Sequence, residues 1–157
     1  LRGNPGGLIT SVVDILDMIL PEGVVVYTED KYGRRENYTS DARCLDIPMV
    51  VLINENSASA SEIFAGAVKD YEYGTLVGTT SFGKGIVQSL FPLEDGSAVK
   101  LTTAKYFTPK GNNIHGIGIA ADVEVEYEYT GPADEPYDIQ YDNQAQRAFA
   151  LMEEMLE

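Results

Sequence analysis

Apolar positions along the chain fall into helical and extended patterns that take turns. After a turn-rich opening, Gly3-Asn4-Pro5-Gly6-Gly7, residues Leu8, Val12, Val13, Leu16, Ile19 and Leu20 recur at helical spacing and predict a helix that Pro21 ends. Residues 24–28 predict a strand, and the polar run 29–41 a hairpin or loop around Tyr32-Gly33. Residues 48–53 form a short unbroken apolar run, the pattern of a strand covered on both faces. Ile63, Phe64, Ala67, Val68 and Tyr71 then mark the inner face of a second helix. Strands are predicted at 75–78, 86–90 and 98–107, the last rich in Val, Thr, Tyr and Phe. Residues 123–129 alternate apolar or aromatic side chains with acids, as a strand with one wet face should. Residues 130–143 carry two prolines and many acids and read as an acidic connector to an amphipathic C-terminal helix, 144–156. Interleaved strands and helices give an α/β class, in one unit spanning 1–157.

Composition narrows the function classes. A 44 % apolar, 23 % charged chain of 157 residues can bury a single core and is not of the disordered type. No apolar run approaches the roughly 18 residues of a membrane span, and no signal-peptide pattern is present. Leu1 falls inside a motif, so the chain reads as a piece of something longer. The net charge of −14 is spread along the sequence and argues against nucleic acid as a partner. Cys44 is the single cysteine, which excludes an intramolecular disulfide and a Cys-rich zinc site. His115 is the single histidine. A multi-histidine metal site is therefore excluded, and a Ser-His-Asp triad would have to use His115.

Two segments carry candidate chemistry. In the first, the apolar run ending at Ile53 enters a small-residue turn, Asn54-Glu55-Asn56-Ser57-Ala58-Ser59, that opens directly into a helix. A serine there projects its hydroxyl at the carboxyl end of a sheet, beside the unpaired N–H groups of a helix start. Such fixed dipoles suit a developing oxyanion, as in other strand-turn-helix hydrolases. The same residues also fit a capping box, Ser59-x-x-Glu62, a purely structural use for which Ser57, Ser59 and Ser61 all compete. Both readings stay open on this segment alone.

The second segment, Gly78 to Gln88, nearly spells the phosphate-binding Gly-x-x-x-x-Gly-Lys loop. Gly85 stands where a Ser or Thr should ligate magnesium, and a strand follows where that loop needs a helix, so no nucleotide is expected. A lysine flanked by glycines has another use, because backbone can approach and enclose it. Burial away from carboxylates disfavours an ammonium and leaves an amine able to accept a hydroxyl proton. A Ser-Lys pair then needs no histidine.

Leu1-Arg2-Gly3-Asn4-Pro5-Gly6-Gly7, Ser57-Ala58-Ser59-Ala60-Ser61-Glu62-Ile63, and Phe82-Gly83-Lys84-Gly85-x-Val87-Gln88 together resemble the C-terminal processing (tail-specific) peptidases. The stretches 101–109 and 116–123 fit the same family, giving four matching regions in order over about 120 residues. The resemblance implies a crotonase-like core of mixed β-sheet with packed helices. It implies a serine endopeptidase that cuts polypeptides near unstructured C-termini through an acyl-enzyme. Carried over residue by residue, Ser59 is the nucleophile, Lys84 the base and Gln88 its orienting partner. The oxyanion donors are the N–H of Ala60 and that of Gly6 or Gly7, while Glu62 and Asp70 brace the nucleophile helix.

No metal or cofactor is implied, and the partner is a polypeptide substrate. The family also implies a location outside the cytoplasm and leaves a homo-oligomer open. Its N-terminal strands and peptide-binding PDZ domain are not in this sequence and are expected in the full-length protein. One tension accompanies the assignment. If residues 84–88 were fully extended, Lys84 and Gln88 would lie roughly 13 Å apart, so either the chain bends near Gly85 or their coupling is less direct than the resemblance implies. The competing expectation is a non-catalytic peptide-binding or scaffold module of the same fold.

Overall fold

The structure, a computed structural model, describes residues 1–156. Helix α1 (Ile9–Ile19) buries Val12, Leu16 and Ile19 along one stripe and leaves Ile15 and Met18 exposed on the other. It stops where Leu20 turns extended, just before Pro21, which has no N–H to continue the helix. Strand β1 (Gly23–Asp30) follows, and the polar run after it folds back as a true strand, β2 (Arg35–Ser40). The turn between them is set by Asp30, whose Oδ1 accepts the N–H groups of Tyr32 and Arg34. Polarity did not prevent a strand here because β2 lies at a sheet edge with most of its residues exposed.

Strand β3 (Val50–Ile53), helix α2 (Ala60–Asp70) and strand β4 (Thr75–Gly78) form a parallel crossover unit. Beyond them, β5 (Ile86–Pro92) and β6 (Ala98–Phe107) pair antiparallel. The result is two sheets. One has four antiparallel strands in the order β2-β1-β6-β5, and the other has three parallel strands, β3-β4-β7, where β7 is Val123–Glu124. The core lies between α1, α2 and the sheets and includes Leu16, Leu20, Val25, Ile53, Val68 and Leu76.

The strand expected over 123–129 is shorter than its pattern. Its ladder partner β4 ends at Gly78, where the chain departs, so β7 pairs only through Val123 and Glu124. The next carbonyls are taken instead by side chains of helix α3 (Asn143–Leu156): Gln144 donates to Val125 O and Asn143 to Glu126 O. Residues 130–142 form an irregular arm. It is held by a bridge between Tyr129 and Asp142, a short 3₁₀ turn (Ile139–Tyr141), and Tyr129 stacked on Tyr137.

Candidate active site

The turn from β3 to α2 is built so that one serine hydroxyl is left over. Ser57 is fully buried; its Oγ accepts the Asn54 N–H at 3.0 Å and donates to Leu1 O at 2.8 Å. Ser61 Oγ donates to Asn4 O at 3.0 Å. Ser59 stands at the helix start with φ 58° and ψ −117°, a conformation that non-glycine residues adopt only under strain. Strained strand-to-helix turns of this kind lift a nucleophile out of the surface. The geometry of a capping box is present, yet the Ser59 side chain makes no cap hydrogen bond.

Glu62 fixes the base loop to this turn. Its carboxylate is completely buried and accepts four hydrogen bonds. Oε2 takes the N–H of Ser59 at 2.9 Å and the N–H of Lys84 at 2.8 Å. Oε1 takes Ser81 Oγ and the Gly83 N–H, both at 2.6 Å. One side chain thus satisfies the backbone on both sides of the prospective Ser-Lys pair. The glutamate half of the expected capping box is made, and it is one of the four bonds that this carboxylate accepts. Tyr106 adds a further tie, donating to Ser59 O at 3.2 Å. Burial, and then the nearby Glu62 charge, push its hydroxyl pKa upward, so it remains a donor. Asp70, at the far end of α2, accepts the Lys110 N–H at 2.7 Å and braces the loop after β6.

The Gly3–Gly7 segment lies against the nucleophile turn. Ala58 N–H donates to Asn4 O at 3.0 Å, and Gly6 packs so closely that a Cβ there would meet Ala58 O at 2.5 Å and Ala60 N at 2.6 Å. The two glycines differ in their N–H groups. That of Gly6 is bound by Asn4 Oδ1 at 2.9 Å, an Asx turn that the Asn-Pro-Gly sequence encodes. That of Gly7 has no partner among the described residues, and neither has that of Ala60.

A cavity of about 290 Å³ gathers the candidates: Gly7, Ser59, Ala60, Lys84, Gln88 and Tyr106 all line it. Lys84 is half-buried and has no carboxylate within ion-pair distance among the described residues. Between Lys84 and Gln88 the chain is not uniformly extended. Residues 81–85 are irregular, with Gly85 pressed against the backbone of His115, and the β5–β6 register shifts between Val87 and Gln88. Gln88 is exposed at the rim. His115 is exposed and does not line the cavity. Tyr106 and Asn4 are the residues that local sequence reasoning missed. Asn4 carried a signal in its Asx-turn sequence; Tyr106, 47 positions from Ser59, carried none.

Residues 1–125 match the family described as Peptidase family S41. The chain belongs to that family. It is 47 % identical over 144 residues to a carboxyl-terminal-processing protease of Synechocystis sp., covering 87 % of this chain and 34 % of the relative. A chloroplastic C-terminal processing peptidase of Tetradesmus obliquus is 42 % identical over 130 residues, covering 82 % of this chain and 28 % of that protein. The solved structure of a photosystem II D1 C-terminal processing protease superposes with a TM-score of 0.77 at 38 % identity, over 94 % of this chain and 37 % of that one. The S41 chain therefore spans about a third of the length of these relatives. The S41 assignment and the superposition agree with the mixed α/β class read from the sequence. Among the described residues no helix is long and apolar enough to cross a membrane.

Proposed function

We propose that the full-length protein is a serine endopeptidase that hydrolyses polypeptides near unstructured C-termini, using Ser59, Lys84 and Gln88. The observation that carries this reading is a hydroxyl without a cap bond, a lysine without a counter-ion and two unpaired N–H groups lining one cavity. Ser59 Oγ attacks the scissile carbonyl carbon while the neutral Lys84 amine accepts its proton. The tetrahedral oxyanion is held by the N–H groups of Ala60 and Gly7, dipoles already fixed before reaction. Collapse expels the leaving amine, which takes the proton back from the Lys84 ammonium. Water, deprotonated by the Lys84 amine, then attacks the acyl carbon, and the Lys84 ammonium returns that proton to Ser59 Oγ as the ester bond breaks and the carboxylic acid leaves.

Gln88 orients the lysine from the rim. Gly6, with its N–H occupied, serves the turn by letting it approach Ala60. Residues 1–157 act as one catalytic-core unit, to which a PDZ domain elsewhere in the full-length protein delivers the substrate tail. Family membership, and relatives that include a chloroplastic peptidase, support a site of action outside the cytoplasm.

Labelling of the full-length protein with a fluorophosphonate probe tests the proposal. Ser59 should be modified in the wild type, and labelling should be lost in Ser59→Ala. A wild type that binds peptides but resists the probe would return the non-catalytic, scaffold reading.

A further inference from the structure

The cavity is a cationic spot on an acidic molecule. The chain has 25 Asp and Glu against 11 Lys and Arg, yet the cavity lining includes two lysines, Lys84 and Lys100, and no acid. Seven of the eleven basic side chains are ion-paired: Arg2, Arg34, Arg35, Arg43, Lys69, Lys110 and Arg147. Of the other four, Lys31 lies over the ring of Tyr32 and Lys105 stands across from Glu29 in the β1–β6 ladder. That leaves Lys84, already given a role as base, and Lys100. In a chain with more than two acids for every base, an exposed lysine with no partner among the described residues is the exception.

Lys100 is also placed where a substrate would pass. It pairs with Leu90 in the β5–β6 ladder, whereas Gln88 pairs with Thr102. Paired residues of a ladder share a face, so Lys100 lies diagonally across from Gln88, roughly 7–8 Å away by sheet geometry. Its four-carbon stem spans that gap, and its ammonium is a mobile point charge with three donors. The outward field of the acidic surface disfavours an anion everywhere except at a spot such as this.

We infer that Lys100 is a specificity-determining residue that receives a carboxylate of the bound polypeptide, close to the scissile bond. This rests on the peptidase reading above. The carboxylate has two sources, the α-carboxylate of a chain end or the side chain of an internal Asp or Glu, and both present the same charge and acceptors to the lysine.

The test uses the full-length protein and three matched peptides: one with a free C-terminus, one amidated, and one amidated with an Asp or Glu near the cleavage point. In the wild type at low salt, kcat/KM should favour a carboxylate peptide over the neutral one by about 5-fold, the range of a partly exposed ion pair, and the preference should shrink with added salt. Which carboxylate peptide gains identifies the source. In Lys100→Met, which keeps an apolar stem, the ratio should fall to about 1, and Lys100→Glu should instead favour a peptide bearing Lys at the same place. Binding of the same peptides to Ser59→Ala, which cannot turn over, repeats the comparison without chemistry. A peptidase that fails to cleave while Ser59→Ala still prefers carboxylates would sink the catalytic proposal and leave this one standing. Equal kcat/KM and equal binding for all three peptides in the wild type, or a preference that survives in Lys100→Met, would overturn it.

Discussion

Ser57, Ser59 and Ser61 occupy alternate positions in one turn, and their hydroxyls are held differently. Ser57 and Ser61 spend theirs on the opening segment, at Leu1 O and Asn4 O, while Ser59 makes no cap bond. Ser57→Ala leaves the Asn54 N–H unsatisfied, while Leu1 O keeps the Asn4 N–H, and should cost about 1–3 kcal/mol in denaturant unfolding, yet still be labelled by a serine-directed probe. Ser59→Ala should behave the opposite way, with near wild-type stability and no turnover. Ser59→Gly should be equally inactive but more stable than Ser59→Ala by about 1 kcal/mol, because glycine relieves the positive φ. The base is tested by charge-preserving replacement. Lys84→Arg should be as inactive as Lys84→Ala, since a guanidinium cannot accept the serine proton. His115→Ala should keep its activity, because that ring lies outside the cavity. An active Lys84→Arg enzyme would falsify the Ser-Lys assignment.

Helix α2, the loop 79–85 and the Gly3–Gly7 turn act as a unit because Glu62 and Gly6 hold them in contact. Glu62→Gln keeps the size of the side chain but offers a single carbonyl oxygen, and turns an NH₂ toward N–H donors. Two of four donors then lose their acceptor. We expect a loss of about 3 kcal/mol in stability, together with a fall in kcat of at least 10-fold at unchanged KM, because the Ser59 and Lys84 backbones no longer share one anchor. A KM change alone would point to a substrate-contact role instead. The two glycines separate by sterics. Gly6→Ala places a methyl against Ala58 O and Ala60 N and should reduce turnover by about 10²-fold, the scale of losing one oxyanion donor. Gly7→Ala meets nothing within 4 Å and retains its N–H, so its kcat should stay within a few-fold of wild type.

Across the whole molecule, the opening segment that carries the glycines is tied to the last helix. Arg2 forms two hydrogen bonds with Asp142, at 2.6 and 3.0 Å over 140 positions of sequence, and a third with Gln144 at 2.9 Å. Burial works to raise the Asp142 pKa, but the bonds from Arg2, the Ala145 N–H and Tyr137 outweigh it and hold the carboxyl at about 2. A depressed carboxyl pKa stabilises the fold above its unfolded value, near 4, and that contribution is lost as pH falls toward the folded value. Unfolding free energy should therefore drop by about 2 kcal/mol between pH 5 and pH 2 on account of this residue. Asp142→Asn should be less stable than wild type at pH 6 and should lack that part of the acid loss in urea titrations at each pH. Loosening this tie should also slow acylation, since the Gly7 N–H belongs to the segment that Arg2 anchors.

The sequence by itself determined the elements whose periodicity is local. The 3.6-residue stripe of α1 and the unbroken run of β3 appear where their patterns stand, and strands 75–78 and 98–107 match in extent. Proline at 21 likewise acts through its own backbone. Ser59 and Lys84 came forward as candidates because each sits in a short run with its own chemical logic, whereas Gln88 came forward only through the family resemblance of its motif. Pairing partners were beyond the reach of the sequence. β7 stops at Glu124 because β4 ends, so alternation misjudged its length, and of the hairpin or loop expected over 29–41 the hairpin forms because residues 35–40 pair with β1. The choice between Gly6 and Gly7 needed to know that Asn4 Oδ1 already takes one N–H. Three of the four donors on Glu62, the Tyr106 hydroxyl under Ser59 and the place of Lys100 in the cavity lining come from segments about 20 to 50 residues apart, brought together only by burial and sheet register. Such contacts have no local period, which is why only the tertiary structure decided them.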